Sequence, residues 1–179
     1  MAEPISASAW TIEPLGKHHD RAAFSCEEVE LTDYLQNRAS QDVRRYAAAV
    51  FVATEPGSTR VIGYYSLSAL SVGLDSIPAE QAKHLAKFPA VPVTLLGRLA
   101  RDLGQKNKNM GEFLLMDALD RAYRQSHQIA SSAVIVDAKG ARAARFYETF
   151  GFSTIADSPA SPNSPLRLYL PMRTIAKLF

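Results

Sequence analysis

Lys106-Asn107-Lys108-Asn109-Met110-Gly111 places two cations, two asparagines and a glycine directly before an amphipathic run. From Met110 onward, Leu114, Leu115, Ala118, Leu119 and Ala122 recur at three-and-four spacing, with Asp117, Asp120, Arg121 and Arg124 on the other side. That period predicts a helix with one core face and one solvent face. A helix start offers unpaired backbone N–H groups and the positive end of the helix dipole. With Arg101, Lys106 and Lys108 beside it, this start is suited to a phosphate group. A plain solvated turn has the same composition, so the surrounding elements must decide between the two readings.

Those elements come in a telling order. Val93-Thr94-Leu95-Leu96-Gly97-Arg98-Leu99-Ala100, apolar and β-branched at its start, predicts a strand that runs into the loop Arg101 to Asn109. After the helix, Ser131 to Asp137 predicts a second strand, and the segment Ala141 to Phe152 follows with four aromatic residues, Phe146, Tyr147, Phe150 and Phe152. The formal net charge is only +2, yet the basic residues are unevenly placed. Arg38, Arg44 and Arg45 fall on one early helix, Arg98, Arg101, Lys106 and Lys108 follow the strand, and Lys139, Arg142 and Arg145 precede Tyr147. Such local positive fields can attract RNA without a high net charge, and ordinary solvated helix faces are the other reading.

Strand, loop, helix, strand and Ala144-Arg145-Phe146-Tyr147-Glu148-Thr149-Phe150-Gly151-Phe152 together resemble the core of a GNAT-type N-acetyltransferase. Phe24-Ser25-Cys26, Leu31, Tyr34-Leu35, Val61-Ile62-Gly63-Tyr64-Tyr65-Ser66-Leu67-Ser68, Leu96 to Ala100 and Leu168-Tyr169-Leu170-Pro171-Met172 narrow the likeness. They resemble the GNAT toxins of bacterial type II toxin–antitoxin pairs, over nearly the whole chain. The resemblance implies an α/β fold with a central, mostly antiparallel sheet, splayed at the cofactor strand and flanked by helices. It implies acetyl-CoA as cosubstrate, the α-amine of aminoacyl-tRNA as acceptor, blocked translation, a neutralising ribbon-helix-helix antitoxin and a homodimer. With that cofactor, the strand end and loop give Leu99, Ala100, Arg101, Lys106, Asn107, Lys108, Asn109, Met110 and Gly111 as its binding residues, and the basic groups give Arg38, Arg44, Arg45, Arg98, Arg142 and Arg145 as the tRNA residues. The family's pyrophosphate loop usually carries Gln or Arg, Gly, and Gly or Ala where this chain has Lys106, Asn109 and Gly111. Only the last matches fully. Asn is the non-glycine residue that best tolerates left-handed angles, so Asn107 and Asn109 can keep the loop shape at modest cost.

Acetyl transfer to an amine needs a neutral nucleophile, a polarised thioester carbonyl and a proton for the departing thiolate. The resemblance assigns the proton to Tyr147, whose phenol, with an ordinary pKa near ~10, stays protonated at neutral pH. On the residues alone, Tyr147 reads first as a packing aromatic, like Phe146, Phe150 and Phe152. Polarisation falls to a backbone N–H near Leu99 and Ala100. No strong base is demanded, because an α-amine with a pKa of ~7.7 to 8.0 is already partly neutral, unlike a lysine near ~10.4. Two other readings stay open: a GNAT enzyme of a small amine or a protein N-terminus, and a cofactor-deficient binding module.

The rest of the chain supplies scaffold. Its 179 residues, near half of them apolar, predict a single domain over residues 1–179. Val29 to Tyr46 predicts one or two helices, and Ala47 to Thr54 with Val61 to Leu70 an antiparallel hairpin about Glu55-Pro56-Gly57-Ser58-Thr59. Ser76 to Pro92 holds a short helix that reads as a substrate-facing wall or a connector, Asp157 to Pro165 a loop, and Leu166 to Met172 a last strand. A single cysteine, Cys26, excludes an internal disulfide and suits a reducing cytoplasm. His18, His19, His84 and His127 lack metal-ligand spacing, so no metal is expected. Neither a signal in Met1 to Ser6 nor an apolar run of bilayer length is present, which predicts no membrane partner and a cytoplasmic protein.

Overall fold

The computed structural model describes residues 9–85, 87–155 and 164–179. Met1 to Ser6 and most of the Pro- and Ser-rich stretch Asp157 to Pro165 lie outside the described residues. Among these, the strands are β1 (Thr11–Pro14), β2 (Ala49–Thr54), β3 (Gly63–Gly73), β4 (Ala90–Arg101), β5 (Ala133–Ala138), β6 (Ser153–Thr154) and β7 (Leu166–Pro171). The helices are α1 (Val29–Asp33), α2 (Ala39–Arg44), α3 (Ala79–Ala82), α4 (Met110–Ser126), α5 (Gly140–Thr149) and α6 (Met172–Ile175), with a π-helical turn, Tyr34–Arg38, joining α1 to α2. Hydrogen bonding orders the sheet β1-β2-β3-β4-β5-β7-β6. β4 and β5 are parallel, registered as Thr94 to Val134, Leu95 to Ile135 and Leu96 to Val136. The β1–β2, β2–β3, β5–β7 and β6–β7 pairs are antiparallel. This is the mixed, mostly antiparallel sheet with flanking helices that the sequence predicts.

Contacts divide the chain into two units, Met1–Leu67 with Arg98–Asp117, and Ser68–Gly97 with Ala118–Phe179, and β3, β4 and α4 run through both. The core of the first unit gathers Phe24, Tyr34, Leu35, Val50, Val52, Val61, Tyr64 and Ala100, all buried. Tyr64 and Tyr34 need partners for their buried hydroxyls, since an unpaired one would cost about 1–3 kcal/mol. Tyr64 donates to the Leu31 carbonyl at 2.6 Å and Tyr34 to the Asp42 carboxylate at 2.8 Å. At Gly63 side chains of α4 press against β3: a Cβ there would lie 3.0 Å from Leu114 Cδ1 and 3.2 Å from Met110 Sδ. The core of the second unit is built from Val72, Ile77, Val91, Val93, Ala133, Ile135, Ile155 and Tyr169.

The predicted hairpin is present, with Ala49 opposite Leu67 and Ala53 opposite Gly63. Thr11–Pro14 and Ser153–Thr154, absent from the sequence reading, add short strands at the two edges. Val29 to Tyr46 becomes one winding segment in which the π turn inserts between two short α-helices.

Candidate active site

The loop before α4 is shaped by one carboxylate. Asp102 is buried, and its two oxygens accept from the N–H groups of Ser25 at 3.0 Å and Gly104 at 2.9 Å. Its own N–H donates to the Ile62 carbonyl, and the Leu103 N–H to that of Ser25, so both edges of the turn are tied down. Beyond the short 3₁₀ turn at Leu103–Gln105, Asn107 and Asn109 take φ values of 63° and 60°. Those are the left-handed angles expected of these asparagines. Among the described residues no acceptor meets the N–H groups of Asn107, Asn109, Met110, Gly111 or Glu112. The last four are the donors that a helix start leaves unpaired, and they carry the positive end of the dipole.

The remaining residues of the predicted cofactor group lie in this same unit. Met110 is fully buried, so what it can offer a ligand is its backbone N–H. Ala100 is part of the core, and Leu99 is half-buried. Arg101 and Lys106 face a single acid that sequence reasoning missed, Glu27, at 3.8 and 3.7 Å. Nothing in the sequence pattern signals it, because the approach is made by tertiary packing. The donor set of the loop fits a pyrophosphate: open backbone N–H groups, a helix N-terminus and nearby cations, with no buried carboxylate oxygen left unpaired to repel it.

Tyr147 sits two residues before the end of α5, where the helix closes in a Schellman motif. The Phe152 N–H donates to the Tyr147 carbonyl at 3.3 Å and the Gly151 N–H to that of Glu148 at 3.0 Å. Gly151 supplies the left-handed turn, at φ 93°. The apolar contact that accompanies such closures is here Tyr147 against Phe152, edge to face, with ring centroids 5.4 Å apart. Phe146 adds a second edge contact at 5.2 Å. The packing role that the residues alone allow is therefore real, and it is the device that fixes the phenol. Burial pushes the Tyr147 phenol up to about 12, with no charge or hydrogen bond contributing. It is thus a neutral donor throughout the physiological range.

The predicted tRNA residues are placed differently from one another. Arg98 sits over Tyr34, its guanidinium carbon 3.5 Å from the ring centroid, and so is engaged at the core's edge. Arg38 pairs with Asp33 at 3.1 Å. Arg44 and Arg45 are exposed at the end of α2. In the second unit Arg142 and Arg145 are exposed on α5, the same helix as Tyr147. Cys26 is structural, as expected: its thiol donates to the Glu28 carbonyl at 3.1 Å.

The histidines need a correction. His18, His19 and Glu13, although without ligand spacing in sequence, come together within 4.8 Å. Hydrogen bonding still argues against a metal. The Gly16 N–H donates to His19 Nδ1 at 2.9 Å, which places the ring proton on Nε2, and that atom faces Glu13 at 2.7 Å. A nitrogen carrying a proton has no lone pair for an ion.

No family model matches the chain. A tRNA-acetylating toxin of Mycobacterium tuberculosis is 34% identical over 154 residues, spanning 86% of this chain and 87% of the relative. Among solved structures, AtaT complexed with acetyl-methionyl-tRNAfMet superposes with a TM-score of 0.84 at 24% identity, covering 95% of this chain and 99% of that one. A Tyr-to-Phe mutant of AtaT bound to the C-terminus of the antitoxin AtaR and acetyl-CoA gives 0.77 at 22%, over 96% and 98%. The two structures establish the fold. The relative, at its identity and coverage, establishes more: this chain belongs to the family of tRNA-acetylating GNAT toxins.

Proposed function

We propose that the protein transfers the acetyl group of acetyl-CoA to the α-amine of the amino acid carried on aminoacyl-tRNA, blocks translation by doing so, and is neutralised by a cognate antitoxin. The observation that carries this reading is the α4 N-terminus, in a chain of this family. There, two left-handed asparagines keep open the N–H cluster that a pyrophosphate needs. That geometry speaks for a working cofactor loop and against the cofactor-deficient binding module.

Bound acetyl-CoA supplies the activated acyl group, and the chain's residues do the rest. The N–H groups of Asn107 and Asn109 to Glu112, with Arg101, Lys106 and Lys108, hold the diphosphate. A backbone N–H near Leu99 and Ala100 polarises the thioester carbonyl. The neutral α-amine attacks it, the C–S bond breaks, and Tyr147 gives its proton to the leaving thiolate. The phenol is regenerated from solvent, which also takes the amine's surplus proton. Arg44, Arg45, Arg142 and Arg145 draw in the RNA. The antitoxin is of ribbon-helix-helix type, the enzyme works as a homodimer, and both act in the cytoplasm; among the described residues no helix is long and apolar enough to cross a membrane.

Labelled acetate followed from acetyl-CoA onto a pool of charged tRNA, with deacylated tRNA in parallel, tests this. Label on the charged pool alone, lost with Tyr147→Phe, is the expected result. Label on neither pool, with acetyl-CoA still bound, would move the acceptor to another amine.

A further inference from the structure

Two helices of this chain close in the same way, and only one closes on the residue that the motif favours. At the end of α5 the left-handed position is Gly151. At the end of α2 the Ala47 N–H donates to the Asp42 carbonyl at 2.9 Å and the Tyr46 N–H to that of Val43 at 3.2 Å, which is the same Schellman pattern. Its left-handed residue is Tyr46, at φ 57°. Glycine, or sometimes asparagine, takes that place because a Cβ is crowded there, and an aromatic residue is an outlier.

Packing gives nothing back for the strain. Tyr46 is 97% exposed, and its ring touches no other ring and its hydroxyl no partner among the described residues. Arg44 and Arg45, just before it, are also exposed, and neither makes an ion pair or side-chain hydrogen bond among the described residues. Elsewhere Arg38, Lys83, Arg124 and Arg167 each meet a carboxylate. Asp42, the nearest acid in sequence, is held by the buried Tyr34 hydroxyl. The turn therefore presents two free guanidinium groups and a bare ring on a backbone strained to show it. Guanidinium forks suit phosphates, and an exposed aromatic face suits an unstacked base.

We infer that Arg44-Arg45-Tyr46 is a platform for unpaired nucleotides of the RNA substrate, with Tyr46 stacking on a base and the arginines on flanking phosphates. This rests on the reading of the substrate as aminoacyl-tRNA; it adds Tyr46 to the two arginines already assigned to the RNA and gives the three a single-stranded target. Stacking is tolerant of sequence, so the platform supplies affinity without choosing a base. It lies toward the Leu67 end of the β2–β3 ladder, whereas Asp102 anchors the phosphate loop at Ile62, beside the Gly63 end. Loss of the platform should leave acetyl-CoA binding alone.

Tyr46→Gly and Tyr46→Trp test it. Glycine removes both the strain and the ring, so the variant melts higher than wild type, while its KM for charged tRNA and its Kd for deacylated tRNA rise about tenfold or more. Its kcat and its KM for acetyl-CoA are unchanged, and Tyr46→Trp binds tRNA like wild type. An unchanged KM and Kd for tRNA in Tyr46→Gly overturns the inference. The same holds if the glycine variant loses antitoxin affinity or self-association while tRNA binding stays intact, since the turn would then dock protein. Direct tRNA binding separates the two levels. A wild type that binds tRNA through Tyr46 but acetylates none refutes the substrate reading alone, and equal acetylation and binding by both proteins refutes the platform alone.

Discussion

Burial raises the Tyr147 phenol to about 12, and on the proposed mechanism that makes it a durable proton donor. Loss of a positioned proton donor typically costs 10²–10⁴-fold in rate. Tyr147→Phe should therefore lower kcat by about that range with little change in KM for either substrate, as read by steady-state kinetics. Its melting temperature should stay close to wild type, because the edge contact with Phe152 needs the ring and not the hydroxyl. The pH profile follows from the same group. The reaction needs a neutral amine and a protonated phenol, so kcat/KM should climb through the α-amine range, ~7.7 to 8.0, and then level off. A Tyr147 raised to about 12 gives no falling limb below pH 10. A bell centred near neutrality would show that another acid does the work.

At the scale of elements, the loop and α4 are one device. Asn109→Val puts a β-branched residue at φ 60°, which costs about 1–2 kcal/mol in local backbone energy. The expected readout is weaker acetyl-CoA binding by calorimetry with tRNA affinity unchanged, and Asn109→Gly should bind at least as well as wild type. Behind the loop, Gly63→Ala would press on Leu114 and Met110, and overpacking of this kind costs about 1–3 kcal/mol, measurable as a lower urea midpoint. Much of this was legible in the sequence: α4 from its period, the hairpin from its turn, and the left-handed asparagines from residue type. Other parts were not. Thr11–Pro14 is only four residues long and ends in a proline, too short a run to read as a strand, and it becomes one by pairing with β2. The Tyr34–Arg38 π turn leaves no mark in the apolar spacing. Asp102 looked like one more loop acid, and Glu27 meets Arg101 and Lys106 from far away in the chain. The pairing of His19 with Glu13 likewise depends on a turn whose shape composition does not give.

For the molecule as a whole, burial raises the phenols of Tyr34, Tyr64 and Tyr147 alike. Each is held neutral in the fold and ionises near ~10 in the unfolded chain. Their contribution is thus fully present below pH 10 and lost as pH rises through that range toward the folded values. Urea midpoints should be flat from pH 8 to pH 9.5 and fall by pH 11, and the fall should be shallower in Tyr147→Phe, which removes one titrating group. On the proposed mechanism, catalysis and folding draw on the same property, a phenol that burial keeps neutral over the physiological range. The most direct test of the whole account is to locate the acetyl group itself, by nuclease digestion of charged tRNA after reaction and mass spectrometry of the terminal aminoacyl-adenosine. The account predicts acetyl on the α-nitrogen of the amino acid and none on the ribose or bases. Unmodified aminoacyl-adenosine, with acetyl recovered on a small amine or a protein N-terminus, would contradict it.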